Sequence, residues 1–208
     1  MTAATLMLTE LQRFCTRDGS GIRTVVFLKG CPLRCAWCHN PETQERAPQM
    51  LFYPSKCISC GSCTVCPARR HTQEGGVHRF LRAGCTACGA CARVCPTGAL
   101  SLCGQRRTVE EVFAGVQKDM AFFGTEGGVT LSGGEPLLQA DACIELLRLC
   151  RGAGISTAVE TSGCFETERL SELVALTDLF LWDIKDTDEA RHRANTGVGL
   201  ARIRENLF

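Results

Sequence analysis

The stretch Gly30-Cys31-Pro32-Leu33-Arg34-Cys35-Ala36-Trp37-Cys38-His39-Asn40-Pro41-Glu42 follows directly on residues 23–28, RTVVFL. That run is near-continuously apolar and rich in β-branched residues, as expected of a parallel strand covered on both faces. Gly30, Cys31 and Pro32 force a loop at its end. Three thiolates in so short a loop can ligate three irons of a 4Fe–4S cube and leave the fourth iron open. The rival is a zinc site built from Cys35, Cys38, His39 and a fourth ligand. Trp37 between the last two cysteines, and the position after a strand, favour the cluster.

Working outward, cysteine is the anomaly of the composition, with 16 in 208 residues. A disulfide scaffold needs an oxidising compartment and usually a secretory signal. The first nineteen residues have no uninterrupted apolar region and carry Glu10, Arg13, Arg17 and Asp18. No stretch reaches the roughly 18 apolar residues of a membrane span. A reducing cytoplasm and metal ligation are therefore expected. The formal charge of +1 gives no general attraction to nucleic acid or to a membrane surface.

Residues 51–100 change texture to Cys, Gly, Pro and Arg with little periodicity. They read as an inserted module held by metal rather than by apolar burial. Within it Cys57, Cys60, Cys63 and Cys66-Pro67 are followed by Cys85, Cys88, Cys91 and Cys95-Pro96. Two such runs form the two-cluster ferredoxin pattern, in which each fourth cysteine ligates the other cluster. Cys57, Cys60, Cys63 and Cys95 are thus assigned to one cube, and Cys85, Cys88, Cys91 and Cys66 to the other. The first run is one residue short before Cys66. Paired zinc sites would not need two evenly spaced quartets each ending in Cys-Pro. His71 and His78 are expected to be solvated. Cys15, Cys103, Cys143, Cys150 and Cys164 lack cluster spacing and read as small buried apolar residues.

Residues 1–50 and 101–208 make the main domain. Helices are expected over 108–123, with Thr108 as N-cap, and over 137–151, 167–176 and 201–208; strands over 129–131, 155–159 and 179–184. Such βα alternation implies a parallel sheet, and with it a partial (β/α) barrel whose chemistry lies at the carboxyl ends of the strands. The remaining motifs all fall there. Ser132-Gly133-Gly134-Glu135-Pro136 permits close backbone approach to a ligand. Glu160-Thr161-Ser162 and Asp183-Ile184-Lys185 place carboxylates suited to a cation or to ribose hydroxyls, and a lysine suited to a carboxylate. A plain surface ion pair is the bland reading of Asp183 with Lys185.

Asp18-Gly19-Ser20-Gly21-Ile22-Arg23-Thr24, continued through Asn40-Pro41-Glu42, resembles the opening of the glycyl radical enzyme activating enzymes, a subfamily of the radical S-adenosylmethionine enzymes. The resemblance covers essentially the whole chain; Ser20 stands where the family usually has proline. It implies that Cys31, Cys35 and Cys38 hold the catalytic cluster, with Trp37 beside it. Gly133, Gly134, Glu135 and Lys185 are then expected to contact S-adenosylmethionine, while Glu160, Thr161 and Asp183 match a monovalent-cation and cofactor region. His192, Thr196 and Gly197 match a stretch near the partner-binding face. Three 4Fe–4S clusters, a flavodoxin- or ferredoxin-type electron donor and a partner glycyl radical enzyme follow from the same resemblance. That partner is expected to resemble pyruvate formate-lyase, or to be a diol, choline or aromatic-acid lyase or decarboxylase. Further βα units are expected beyond Phe208, making the chain a C-terminally shortened form. The rivals are a radical S-adenosylmethionine enzyme acting on a small molecule, and an inactive or purely electron-carrying iron–sulfur protein.

Overall fold

A computed structural model describes residues 3–208, which divide into two compact units, residues 47–105 and the remainder of the chain. In chain order the elements are β1 (Thr5–Cys15), β2 (Arg23–Leu28), β3 (Gln49–Phe52), β4 (His71–Glu74), β5 (Val77–Phe80), α1 (Ala90–Arg93), β6 (Leu100–Cys103) and β7 (Gln105–Thr108). They continue with α2 (Val109–Gln117), α3 (Met120–Phe123), β8 (Gly128–Gly133), α4 (Ala140–Gly152), β9 (Ser156–Thr161), α5 (Leu170–Ala175), β10 (Leu179–Trp182), α6 (Glu189–Thr196) and α7 (Ala201–Leu207).

The larger unit is α/β. Its six-stranded sheet has the order β10-β9-β8-β2-β1-β7. Strands β2, β8, β9 and β10 are parallel, with Leu28 opposite Gly133 and Thr161 opposite Trp182. The sheet is not wholly parallel, because β1 pairs antiparallel with β2. This N-terminal strand escaped the sequence reading: three of its buried residues, Leu6, Met7 and Leu8, are consecutive, and its second half is largely exposed before a buried Cys15. Neither strict alternation nor a long apolar run marks it.

Helices α2 and α4 lay apolar faces on this sheet. Val109, Val112 and Val116 join Ile144, Leu146 and Leu147 in a core with Leu6, Val26, Val129, Leu131 and Val159. Thr108 starts α2 through a capping box: its hydroxyl accepts from the Glu111 amide while the Glu111 carboxylate accepts from the Thr108 amide. The single helix expected over 108–123 is two, broken between Gln117 and Met120, where Asp119 is fully buried. Its carboxylate pairs with Arg13 and accepts from the Thr24 hydroxyl at 2.6 Å, and these bonds hold its pKa below the usual carboxylate range against the opposing effect of burial. The expected helices near 137 and 167 each begin with a short 3-10 turn, Pro136–Gln139 and Thr167–Arg169.

The smaller unit holds two antiparallel pairs, β3 with β6 and β4 with β5. It also has apolar packing that its texture did not reveal: Met50, Cys91 and Leu100 are buried, with Phe52, Phe80 and Leu102 against them. No helix among the described residues is long and apolar enough to cross a membrane.

Candidate active site

Strands β2, β8, β9 and β10 all end at one cleft of about 580 Å³. Cys31, Cys35, Cys38 and Trp37 line it from the loop after β2; Gly133 and Gly134 from the end of β8; Glu160 and Thr161 from the end of β9; Asp183 and Lys185 from the segment after β10. Most of the residues singled out in the sequence therefore meet in one place, although they lie up to 154 positions apart in the chain.

The cysteine loop is fixed largely by backbone bonds. The amide of Gly30 donates to Thr43 at 2.6 Å and that of Cys31 to Gln44 at 2.9 Å. Lys29 is fully buried, and its ammonium donates to the Glu45 carbonyl at 2.6 Å, bracing the returning segment. On the other side, Arg34 and Ala36 donate to the carbonyls of Thr196 and Asn195, at 2.7 and 2.8 Å. The end of α6 thus clamps the loop between Cys31 and Cys38. His192 and Thr196 are fully buried, and the His192 ring bonds to the Val198 carbonyl at 2.8 Å.

Gly133 and Gly134 are required by close approach. Gly133 has φ +107°, and a Cβ there would lie 2.4 Å from the Leu28 amide nitrogen. A Cβ on Gly134 would lie 2.1 Å from the Gly30 carbonyl oxygen. The glycine pair therefore lets the end of β8 sit against the start of the cysteine loop, and the Gly134 and Glu135 amides bond to Leu28 and Gly30.

Glu135 is placed differently from the cofactor contact expected of it. It does not line the cleft and is wholly buried behind it. Its carboxylate accepts from the Thr161 hydroxyl at 2.8 Å, and from the Ser162 amide and hydroxyl at 3.0 and 2.7 Å. Burial pushes its pKa above the usual range, and the bonds from Ser162 and Thr161 only partly offset that. Glu135 accordingly ties the end of β8 to the end of β9. Ser132, three residues before Glu135, makes a short bond to Glu160. Lys185 pairs closely with Asp183; burial works against its charge, but Asp183 outweighs that and leaves its pKa raised.

The thiols suit a metal cluster. All three are free and half-buried. Burial pushes Cys31 up to about 11, and it also raises Cys35, where the nearby Lys185 charge opposes the shift. Such thiols lose their protons when a metal takes their place. Cys31 lies within electrostatic reach of both Cys35 and Cys38, and all three line the same cleft.

In the smaller unit, Cys57, Cys60, Cys63 and Cys95 line one recess. Cys91 lies within electrostatic reach of Cys66 and Cys85, while Cys88 is exposed. His71 and His78 are not solvated as expected but buried, with His78 facing the first group. Cys15, Cys103, Cys143 and Cys150 are buried, as small apolar residues would be; Cys164 is half-buried. Sequence reasoning passed over Lys29 and Gln139. The Gln139 side chain is buried and clamps the Met7 backbone, its oxygen accepting at 2.8 Å and its nitrogen donating at 2.9 Å. A single polar residue beside an apolar run carries no signal of such a bond.

Three thiols from the loop after β2 line a cleft at the carboxyl ends of parallel strands, and the family described as a 4Fe-4S single cluster domain matches residues 17–195, which makes this an iron–sulfur protein. The choline trimethylamine-lyase activating enzyme of Oleidesulfovibrio alaskensis is 43% identical over 97% of this chain and 66% of its own length. The isethionate sulfite-lyase activating enzyme of Desulfovibrio desulfuricans is 42% identical over 97% of this chain and 67% of its own. The benzylsuccinate synthase activating enzyme of Thauera aromatica is 40% identical over 97% and 63%. The chain belongs to this family, the activating enzymes of glycyl radical enzymes. It spans about two thirds of the length of these relatives.

Proposed function

We propose that this chain reductively cleaves S-adenosylmethionine and uses the resulting 5′-deoxyadenosyl radical to abstract a hydrogen from a glycine Cα of a partner glycyl radical enzyme. The observation that carries this reading is the convergence of Cys31, Cys35 and Cys38 with Gly133, Gly134 and Lys185 in one cleft. When bound by the three thiolates, a 4Fe–4S cluster supplies a single electron and an iron with an open coordination position. The protein's own groups would hold the substrate against it. The close-packed turn at Gly133 and Gly134 presents backbone to the methionyl amine, and Lys185 offers a cation to a carboxylate. Glu160 and Asp183 are the carboxylates available to ribose hydroxyls or to a monovalent cation. Thr161 lines the same wall but directs its hydroxyl proton to Glu135. Trp37, half-exposed at the loop, gives the cleft an apolar edge.

The insert is read as a two-cluster ferredoxin-like module. The shared recess of Cys57, Cys60, Cys63 and Cys95 supports the crossed pattern, as does the placing of Cys66 near Cys91 and Cys85. Cys88 would complete the second set. With the cluster in the cleft this makes three, and the insert would take single electrons from a flavodoxin- or ferredoxin-type donor in the cytoplasm.

The test is anaerobic formation of 5′-deoxyadenosine by the reconstituted chain with a strong reductant. Product is expected from the wild type and none above background from Cys35→Ala. A wild type carrying its full iron and sulfide yet forming no product would leave an electron carrier as the reading.

A further inference from the structure

Within the insert, the β4–β5 hairpin brings two histidines together. His71 pairs with Phe80 and Gln73 with His78, so the two imidazoles are diagonal neighbours on one face. Their rings meet at 2.9 Å between His71 Nδ1 and His78 Nε2. His78 also faces sulfur through both ring nitrogens: Nδ1 lies 3.5 Å from Cys57 Sγ, while Nε2, the atom that meets His71, is 3.4 Å from Cys63 Sγ. The hairpin is tied to the cysteine loop by its backbone as well. The His78 amide donates to the Ser59 hydroxyl at 3.3 Å, and the Gln73 side chain donates to the Ser59 carbonyl at 2.7 Å. Phe52 meets the His78 ring edge to face at 4.8 Å, and Phe80 stacks on His71 at 5.1 Å. Both histidines are buried. A solvent-facing turn has no need of such an arrangement.

We propose that His78 is the hydrogen-bond donor to the Cys57 thiolate of the first insert cluster, and that His71 is a positioning residue that fixes its tautomer. The proposal rests on reading Cys57, Cys60, Cys63 and Cys95 as ligands of that cluster. A neutral imidazole has one N–H, and either tautomer of His78 directs it at a thiolate of the same cluster, Nδ1 at Cys57 or Nε2 at Cys63. With His71 donating from Nδ1 to Nε2, the proton lies on Nδ1 and His78 donates to Cys57. An N–H directed at a cluster thiolate favours the reduced state, which carries the additional negative charge, and so raises the potential. Acting on the first insert cluster, His78 would favour residence of the electron there.

The experiment is an EPR-monitored redox titration of the full reconstituted chain, with iron and sulfide counted in each sample. His78→Phe keeps a planar ring and removes the donor. It is expected to lower one midpoint potential, about tenfold in the reduced-to-oxidised ratio at fixed potential, or about 59 mV for a one-electron couple. The other clusters should stay in place, and His78→Gln, which keeps an N–H, should recover part of the shift. Wild-type protein labelled with ¹⁵N-histidine gives a second readout that needs no variant: a weak histidine nitrogen coupling on one reduced insert cluster. An unchanged potential in His78→Phe at full cluster content, or no histidine coupling in the wild type, overturns the proposal alone. A strong coupling, marking direct ligation, overturns it too. Failure of the wild type to hold two insert clusters overturns the two-cluster reading and this proposal with it.

Discussion

The two units hold their cysteines by opposite means. In the larger one, the thiols at the cleft sit at the rim of an apolar core running from Leu6 through Leu147 to Leu173, whose strands and helices would pack whether or not a metal were present. In the insert, Met50, Cys91 and Leu100 form the buried cluster, and cysteines lie among its packing partners. A core of that size contributes little against the conformational entropy of 59 residues. The larger unit thus provides a preformed site for its cluster, whereas the insert, on the proposed two-cluster reading, would depend on its clusters to stay folded.

Removing iron gives the largest expected effect. Anaerobic chelation should abolish amide-exchange protection in β4, β5 and β6 while β2 and β8 stay protected, as read by exchange mass spectrometry. Equal retention in both units would break the contrast. Apolar truncation should show it from the other side. Leu147 is fully buried between α4 and the sheet, and Leu147→Ala is expected to destabilise the larger unit by about 2–5 kcal/mol in urea unfolding. Met50→Ala in the iron-loaded protein should fall at or below the low end of that range if, as proposed, clusters rather than Met50 hold the insert.

The same contrast explains what the sequence made legible. In the larger unit the parallel strands and the motifs at their ends could be read, because β-branched runs punctuated by glycine encode a buried strand and its turn directly. The antiparallel β1 could not, since three consecutive buried residues followed by an exposed half have no period to detect. In the insert the cysteine spacing announced metal, but spacing says nothing of the hairpin that packs beside it. His71 and His78 lie seven residues apart with a Gly75-Gly76 turn between them, and only strand pairing makes them neighbours. Glu135 was recognisable as part of a strand-end motif, yet its burial depends on Thr161 and Ser162, which lie 26 and 27 positions later. The α6 clamp on the cysteine loop consists of backbone carbonyls, which no side-chain pattern displays.

The smallest effect concerns the polar tie behind the cleft, and it shows how far the apolar unit tolerates a buried charge. Burial raises the Glu135 pKa in the folded protein, so over the interval above the ordinary glutamate range the folded state holds a proton that the unfolded chain has released. Stability then falls as pH rises through that interval, because the native state binds more protons than the unfolded one. Below the unfolded pKa both states are protonated and the penalty vanishes. Glu135→Gln removes the titration and should flatten this part of the stability–pH curve. It should also lower stability by about 1–3 kcal/mol, because its amide cannot accept from all the donors that Thr161, Ser162 and Leu137 direct at the carboxylate. Urea unfolding of the two proteins across pH 5 to 8 separates the slope from the offset. A slope that survives the substitution would assign it to another buried group and leave Glu135 as an ordinary ionised acceptor.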